Sequence, residues 1–326
     1  MEVRQLEAFL AVVDIESFTG AATRLHLTQP TVTARIKALE QELGSTLLNR
    51  RASGITLTIA GTELLPYARE IVALTARARD ALGSAGEPHG RLDVGTIESL
   101  TNYRLLPVIE HVYRRYPKVQ ISMHSPPAGN AFSQVRTGRL QCVFFIDSAQ
   151  DRDDLEIMIL CPEPLALVCG RHHPLAARRT VTNADLRDVT FIRSDNNADY
   201  HLRFEHAIHV AEAEQRSRLF ELDSIYAAKQ SLADGVGIAL MPTIAIEQEL
   251  ATGQLRRLNW IPSFTTFTQV AWRRKGSPNA ALTALIATAV QAIKEQVGTA
   301  RDRADEPGGW RQVHAEVGHD RGGTAR

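Results

Sequence analysis

The hydrophobic pattern changes character once, at Gly83-Ser-Ala-Gly-Glu-Pro-His-Gly90, and that break constrains the fold more than any other feature. Before it, apolar residues recur at helical spacing. After it, short apolar or alternating runs take turns with helical segments. A stretch this rich in Gly and Pro, with no apolar period, reads as a linker. The 326 residues therefore divide into a small helical unit and a larger α/β unit, as expected when an average domain holds roughly 100–200 residues.

Upstream of the break the periodicity predicts a helix over 3–14, with Leu6, Phe9, Leu10 and Val13 on one face. Ser17-Phe18-Thr19 offers a turn and an N-cap for a short helix over 20–25. His26-Leu27 turns again, and Thr28 caps a helix that opens on Gln29-Pro30 and ends near Leu43, where Gly44 suits a C-cap. Residues 47–58 read as a small hairpin around Ser53-Gly54, and a long helix follows over 60–82. In the helix from Gln29, Val32, Ile36, Leu39 and Leu43 form one core-facing stripe. The opposite face carries Pro30, Thr33, Ala34, Lys37 and Gln41, with Gln29 and Thr31 at the N-terminal rim and Arg35 on the flank.

Small and polar residues near a helix N-terminus are what entry into a DNA major groove requires. Gln pairs with adenine edges, and Thr or Ala methyls contact thymine methyls. Arg35, Lys37, Arg50 and Arg51 are placed to meet phosphates. The bland alternative is a helical hairpin with a solvated outer face. Overall charge speaks for the bland reading, since 37 basic residues balance 37 acidic ones. Counterion release, however, depends on the local patch. Between Arg24 and Arg51 five basic residues face two acidic ones, a local balance of +3, and DNA binding becomes the leading reading. Of the basic residues 32 are Arg; arginine suits phosphate recognition, but a GC-rich genome is the preferred account of the bias.

The long helix shows a second pattern. Leu64, Ala68, Ile71, Thr75, Ala78 and Leu82 are spaced like a heptad seam. Either this seam lies on the helix's own domain, or it pairs two copies and sets the spacing of two readheads on DNA; the second is the preferred expectation.

Beyond the linker, strands are expected at 91–96, 119–124, 141–146, 165–169, 189–193, 219–222, 236–241 and 267–272. Helices are expected at 101–115, 130–137, 199–214, 224–234, 242–250 and 278–297. This alternation argues for α/β architecture with a largely parallel sheet. Residues 299–326 lack apolar periodicity and read as a disordered tail.

The N-terminal motifs resemble those of the LysR-type transcriptional regulators. The match runs through Ser17-Phe-Thr-Gly-Ala-Ala-Thr-Arg-Leu25, Thr28-Gln-Pro-Thr-Val-Thr33, Ile36, Leu39-Glu40, Leu43-Gly44, Leu47-Leu-Asn-Arg50, Leu57-Thr58 and Ala60-Gly61. With the linker and the α/β remainder, the resemblance covers about 1–298. It implies an N-terminal winged helix-turn-helix (1–60), a linker or dimerisation helix and hinge (61–90), and a two-lobed α/β effector-binding domain like type 2 periplasmic binding proteins (91–298). Lobe I would span about 91–162 and 267–298, and lobe II about 163–266. The implied partners are double-stranded DNA, a small-molecule effector, a second copy or three further copies of the chain, and RNA polymerase, with no membrane and no cofactor. Three positions depart from the family pattern. Leu48 stands for the usual Phe, Thr33 stands where Ser is common, and Ala34 gives no long side chain at an often polar position, so the DNA sequence read would differ.

In a two-lobed α/β fold, ligands bind at strand C-terminal ends between the lobes. The first strand runs into Ile97-Glu98-Ser99-Leu100-Thr101, whose helical amides suit an anion, and the resemblance places effector contacts there, at Ser99 and Thr101. Ser125, after the second strand, forms another wall. Phe145 and Asp147 end the third strand. From the second lobe Arg193-Ser194-Asp195-Asn196 and Asp223-Ser224 reach the same cleft, with Arg193, Asn196 and Ser224 the preferred contacts. Glu98 and Asp147 are unusual in a cleft that takes carboxylates, so an acidic effector does not follow.

Other classes fare poorly. Three Cys, at 142, 161 and 169, give no disulfide framework or zinc pair, and the apolar setting of Cys142 and Cys169 suits inert buried thiols. Residues 1–9 lack a signal-peptide pattern, and no run of roughly 18 apolar residues spans a membrane, so a cytoplasmic protein is expected. Gly235-Val-Gly237 is half a dinucleotide motif in the wrong context. His172-His173 beside Pro174 reads as a surface turn, and neither GxSxG nor HExxH occurs. The rival expectation is a solute-binding or enzymatic α/β protein with a helical appendage.

Overall fold

The structure, a computed structural model, describes residues 1–51, 54–83, 87–127, 129–195, 198, 200–209, 218–274 and 278–305. The helical unit begins with α1 (Val3–Ile15), α2 (Phe18–Arg24) and α3 (Gln29–Leu43). Leu6, Phe9 and Val12 of α1 meet Val32, Ile36 and Leu39 of α3 in a fully buried core. Each such side chain contributes about 1.5–3 kcal/mol by leaving water. Caps define the two short turns. Gly20 N donates to Ser17 Oγ at 3.1 Å, and Thr31 N donates to Thr28 Oγ1 at 3.4 Å. Gly44 closes α3 at φ +64°, a conformation in which a Cβ is unfavourable. Leu43, expected on the core stripe, is instead 39% exposed; it sits one turn past Leu39 at the helix end, where no other element covers it.

β1 (Leu48–Arg51) and β2 (Gly54–Leu57) pair antiparallel, Leu48 opposite Leu57, as a wing. Glu40 on α3 holds the wing in place: its Oε1 accepts from Leu47 N at 2.8 Å and Leu48 N at 3.3 Å. α4 (Ile59–Gly83) then packs along α1, and Arg69 pairs with Asp14 at 3.0 Å. Asp14 also takes Arg24 of α2 at 3.5 Å. The expected intermolecular seam on α4 is largely consumed within the chain. Ala68 is fully buried, and Leu64 and Ile71 pack against the same core of α1 and α3. Thr75 Oγ1 donates back to Ile71 O at 2.9 Å, and the side chains of Ala78 and Leu82 lie outside the description. Over Leu64, Ala68 and Ile71 the apolar period marks a face that covers the helix's own domain.

Two five-stranded sheets make up the second unit. The first is ordered β4-β3-β5-β12-β6 and uses β3 (Gly90–Gly95), β4 (Val119–His124), β5 (Cys142–Asp147), β6 (Leu155–Pro162) and β12 (Phe267–Arg273). The second is ordered β11-β7-β10-β8-β9 and uses β7 (Leu165–Gly170), β8 (Phe191–Arg193), β9 (Leu219–Glu221), β10 (Ile238–Pro242) and β11 (Leu255–Arg257). Around them lie α5 (Glu98–Leu100), which continues through a π-helical turn (Thr101–Leu105) into α6 (Leu106–Arg115), then α7 (Ala131–Arg136), α8 (Tyr200–His209), α9 (Ile225–Ala233), α10 (Glu247–Ala251) and α11 (Ala280–Asp305). The chain passes from the first sheet to the second at Glu163-Pro164 and returns between β11 and β12.

The sheets are mixed rather than largely parallel. β12 runs antiparallel to β5 and β6, and β10 and β11 run antiparallel to β7, because strands entered directly at each crossing arrive without a helical connection. β6 and β11 are additional strands. α11 extends to Asp305, so 299–305, expected in a disordered tail, are helical; 306–326 lie outside the described residues, as do 210–214 of the expected helix 199–214. Gly235 and Gly237 have backbone roles. Gly235 turns at φ +80°, and a Cβ on Gly237 would lie 2.1 Å from Thr190 O.

Gly61 shows the same constraint in the helical unit, where a Cβ would lie 2.1 Å from Leu47 O. Backbone cannot yield as a side-chain end can. Gly61→Ala is therefore expected to destabilise the helical unit by about 2–3 kcal/mol through overpacking, read as a lowered denaturation midpoint; an unchanged midpoint would show that α4 is free to move off the wing.

Candidate functional site

Two surfaces have the geometry of sites. On the first, the outer face of α3, Gln29, Pro30, Ala34 and Lys37 are exposed, while Thr31, Thr33 and Arg35 are half-buried. The N-terminal turn is set by Thr28, whose Oγ1 lies 2.8 Å from Thr31 Oγ1. Thr19 of α2 reaches Gln29 Oε1 at 3.5 Å. Arg35 and Lys37 have no ion-pair partner among the described residues. Arg50 and Arg51 lie on β1, with side chains outside the description.

The second surface lies between the sheets, where the two lobes are joined by polar side chains. Ser99 is buried to 1% exposure, and its N–H donates across the junction to Asp195 Oδ1 at 3.1 Å. In return Glu98 Oε2 accepts from Ile225 N of α9 at 2.9 Å. Each lobe thus places a carboxylate on the opening turn of a helix in the other, the position that backbone amides and the helix dipole make favourable for an anion. Asp195 holds its place with a left-handed backbone at φ +55°, tolerated by Asp more readily than by most residues. Burial pushes its carboxyl up to about 6; the Ser99 hydroxyl and amide oppose that rise, and the Glu98 charge adds to it. Ser99 Oγ lies beside this carboxylate, yet neither it nor Asp195 Oδ2 makes a hydrogen bond of acceptable geometry, and the Tyr200 hydroxyl, fully buried, also lacks one.

Further ties flank this pair. Asp147, 3% exposed, accepts from Arg203 of α8 and from its own neighbour Ser148 N at 2.7 Å. Lys229 of α9 donates to Tyr103 OH and to Glu249, each at 2.8 Å. At the crossing, Glu163 is fully buried and accepts from Arg104 Nε at 2.8 Å and Nη2 at 3.1 Å. Burial alone would lower the Arg104 pKa; the Glu163 partner more than offsets that, so it stands above its ordinary value.

The sequence-predicted cleft residues are not all brought together. Phe145 lines an apolar cavity with Thr96, Ile97, Pro126, Phe132 and Ala198, and Ser99 stands two residues beyond Ile97. Thr101 instead turns back, its Oγ1 donating to Ile97 O at 3.1 Å. Ser125 is exposed. Arg193 is occupied by Glu205 and, at 2.9 Å, by Glu221. Ser224 caps α9, accepting from Ala227 N at 3.4 Å. Asn196 lies outside the described residues. Tyr103, Arg104, Glu163, Tyr200, Arg203 and Lys229 were missed as site residues, and Asp195 was read only as one member of the run from Arg193 to Asn196. Only Glu163 left a signal, a charge between two prolines.

The thiols and the histidine pair have structural settings. Cys142, Cys161 and Cys169 are buried, and burial pushes each thiol up, Cys169 to about 11. His173 Nδ1 accepts from Leu175 N at 3.2 Å, capping a turn.

A basic helix-turn-helix with an open reading face, joined to two sheets around a polar cleft, defines a ligand-responsive transcriptional regulator. The comparisons agree. The family model described as the bacterial regulatory helix-turn-helix protein of the lysR family matches residues 3–62, and that of the LysR substrate binding domain matches 85–294. The HTH-type transcriptional regulator YwqM of Bacillus subtilis is 32% identical over 88% of this chain and 97% of its own. The DNA-binding transcriptional dual regulator OxyR of Escherichia coli is 28% identical over 76% and 81%. Full-length OxyR from Pseudomonas aeruginosa shares the fold with a TM-score of 0.69 at 21% identity, over 90% of this chain and 95% of that one. LysG from Corynebacterium glutamicum, solved with bound effector Arg, shares it at 0.57 and 22%, over 90% and 99%. The chain belongs to the LysR family: it is a DNA-binding transcriptional regulator with an effector-binding domain. No described helix is long and apolar enough to cross a membrane.

The buried carboxylate gives a pH test. A group with a raised folded pKa contributes stability that is present at low pH and lost as pH rises through the folded value. His201, which burial lowers to about 4, acts in the opposite direction over the same range, so the comparison must be with Asp195→Asn. Relative to that variant, the wild-type chain is expected to gain about 2 kcal/mol between pH 7 and pH 4, measured by urea denaturation. A pH-independent difference would show that Asp195 titrates like an exposed carboxyl.

Proposed function

We propose that paired copies of this chain read an operator through α3 and the wing, and that a small molecule held between the two sheets of each copy alters the spacing of the paired readheads. The observation that carries the DNA reading is the outer face of α3, basic and open, with Arg35 and Lys37 in no ion pair among the described residues. Gln29 is suited to an adenine edge, and Thr33 and Ala34 to thymine methyls. Pro30 and Thr31 form the rim, while Arg35, Lys37, Arg50 and Arg51 meet phosphates. The proposed division is a DNA-binding unit over 1–60, a linker over 61–90 and an effector unit over 91–298. The working place is the cytoplasm, beside DNA, with RNA polymerase as a further partner at the promoter.

A local balance of +3 on one readhead gives weak binding, and pairing supplies the remainder through effective concentration. With Leu64, Ala68 and Ile71 packed on their own domain, the pairing face passes to Ile59, Tyr67 and Leu74, which are 83%, 66% and 55% exposed. At 100° per helical residue these three fall on one side of α4, turned about 100° from the packed face. A homodimer forms through this side, and two dimers give a tetramer. The relatives include proteins titled hydrogen peroxide-inducible genes activator; the buried, raised thiols here favour a bound effector over thiolate chemistry.

Two measurements test this reading. Lys37→Ala should weaken binding to all DNA sequences and reduce the slope of log affinity against log salt by about 0.9; an unchanged slope removes Lys37 from the phosphate contacts. Leu74→Glu should shift the protein to monomers in sedimentation and lower operator affinity at least roughly tenfold, about 1.4 kcal/mol, while single half-site binding persists. Persistent dimers would place the interface elsewhere.

A further inference from the structure

The base-reading end of α3 is tied to its neighbouring helix within the chain. Thr19, in the first turn of α2, donates from Oγ1 to Oε1 of Gln29, the first residue of α3, at 3.5 Å. Both side chains are exposed, so the bond serves no core. Thr19 is the fixed end. It is stiff at χ1 and stands on a closely packed helix: Ser17 Oγ caps Gly20 N at 3.1 Å, Ala21 and Ala22 are buried, and a Cβ on Gly20 would lie 2.6 Å from Ile15 Cγ2. Gln29 is the mobile end, a long side chain with several torsions to lose on docking. Beside it the hydroxyls of Thr28 and Thr31 already lie 2.8 Å apart, so Gln29 is the part of this rim that most needs holding.

Gln29 can still read a base while it is held. An amide oxygen has two lone pairs, and the amide nitrogen has two donors. With Thr19 on one lone pair, Oε1 retains one acceptor site and Nε2 both donors. An adenine edge in the major groove offers the matching pair, the N6 donor and the N7 acceptor. An ordered side chain meets such an edge at a smaller loss of freedom, whereas one free to swing can also reach the edges of neighbouring bases. Base contacts specify a sequence, and phosphate contacts position the protein. A tether on Gln29 therefore acts on base preference and not on affinity for DNA in general.

We propose that Thr19 is a positioning residue for base readout: its hydroxyl holds the Gln29 amide towards one base pair and sharpens the preference of this regulator there. The proposal rests on the reading of Gln29 as a base contact.

The test uses the full chain and a pool of DNA duplexes of randomised sequence, from which the bound molecules are sequenced. Gln29→Ala identifies the base pair, where preference is expected to fall about tenfold. Thr19→Val keeps the shape and removes the hydroxyl. It is expected to lower the preference at that same base pair about threefold, a modest effect because a bond of 3.5 Å is weak. Thr19→Ser, which keeps the hydroxyl, should retain the preference. Other positions, and the salt dependence of binding to a duplex of unrelated sequence, should match the wild-type chain. In the double variant, Thr19→Val should add nothing to Gln29→Ala. The proposal is overturned if Thr19→Val leaves the preference at the Gln29 base pair intact, or if Thr19→Val and Thr19→Ser lower it alike. It is also overturned if Thr19→Val weakens binding to all sequences with a smaller salt slope, which would place the hydroxyl on a phosphate. If Gln29→Ala alters no base preference, the reading of Gln29 fails and the proposal with it; readout by Gln29 that is indifferent to Thr19 overturns the proposal alone.

Discussion

Both chain crossings between the two sheets meet at one buried ion pair. Glu163 lies on the outward crossing, and Thr266 lies on the returning one; they exchange bonds, Glu163 N donating to Thr266 O at 2.9 Å and Thr266 Oγ1 to Glu163 O at 2.6 Å. Arg104 brings the helical run of the first lobe to the same carboxylate, Thr268 Oγ1 of β12 adds a bond at 2.8 Å, and Gln296 ties in α11 by accepting from Arg104 Nη1 at 3.4 Å. Taking two charges out of water is costly unless the remaining lone pairs and protons are used, and here most are. Loss of one partner would leave a buried unpaired charge, a cost of about 3–5 kcal/mol. Both crossings, the helical run of the first lobe and α11 are thereby tied to one buried ion pair.

Away from that ion pair, the contacts across the cleft are fewer and reversible. Ser99 with Asp195, Glu98 with Ile225 N, Asp147 with Arg203 and Tyr103 with Lys229 each bind one lobe to the other through a single side chain. A firm tie with several separable clasps is what a domain needs if a small ligand is to change its closure, since a ligand shifts an equilibrium only by its differential affinity for the two states. Asp195 sits among these clasps, its Oδ1 accepting from Ser99 N across the junction.

Much of this was legible in the sequence. The break at Gly83–Gly90, the caps at Ser17, Thr28 and Gly44, and the outer face of α3 are local signals, written within a few residues. The parts that escaped depend on contacts distant in sequence. β11 is three residues long, and β6 is an edge strand whose alternation is weak. The antiparallel course of β12 follows from a crossing that no local pattern records. On α4 the heptad spacing located an apolar face correctly but could not say what covers it; Ala68 turned out to lie against α1. In the cleft, the run from Arg193 to Asn196 was legible as a ligand-facing loop, but which of its residues ties to the other lobe is a tertiary fact; it is Asp195.

Asp14, at the end of α1, carries a further consequence. Arg69 of the long linker helix and Arg24 beside the reading helix both close on this one carboxylate. A turn of α4 about its own axis would therefore pull on α2 directly, without passing through the apolar core. Mechanically the linker is a crank, with Asp14 as its pin. On the proposed reading, torque on that helix would reach the reading helix through a single carboxylate.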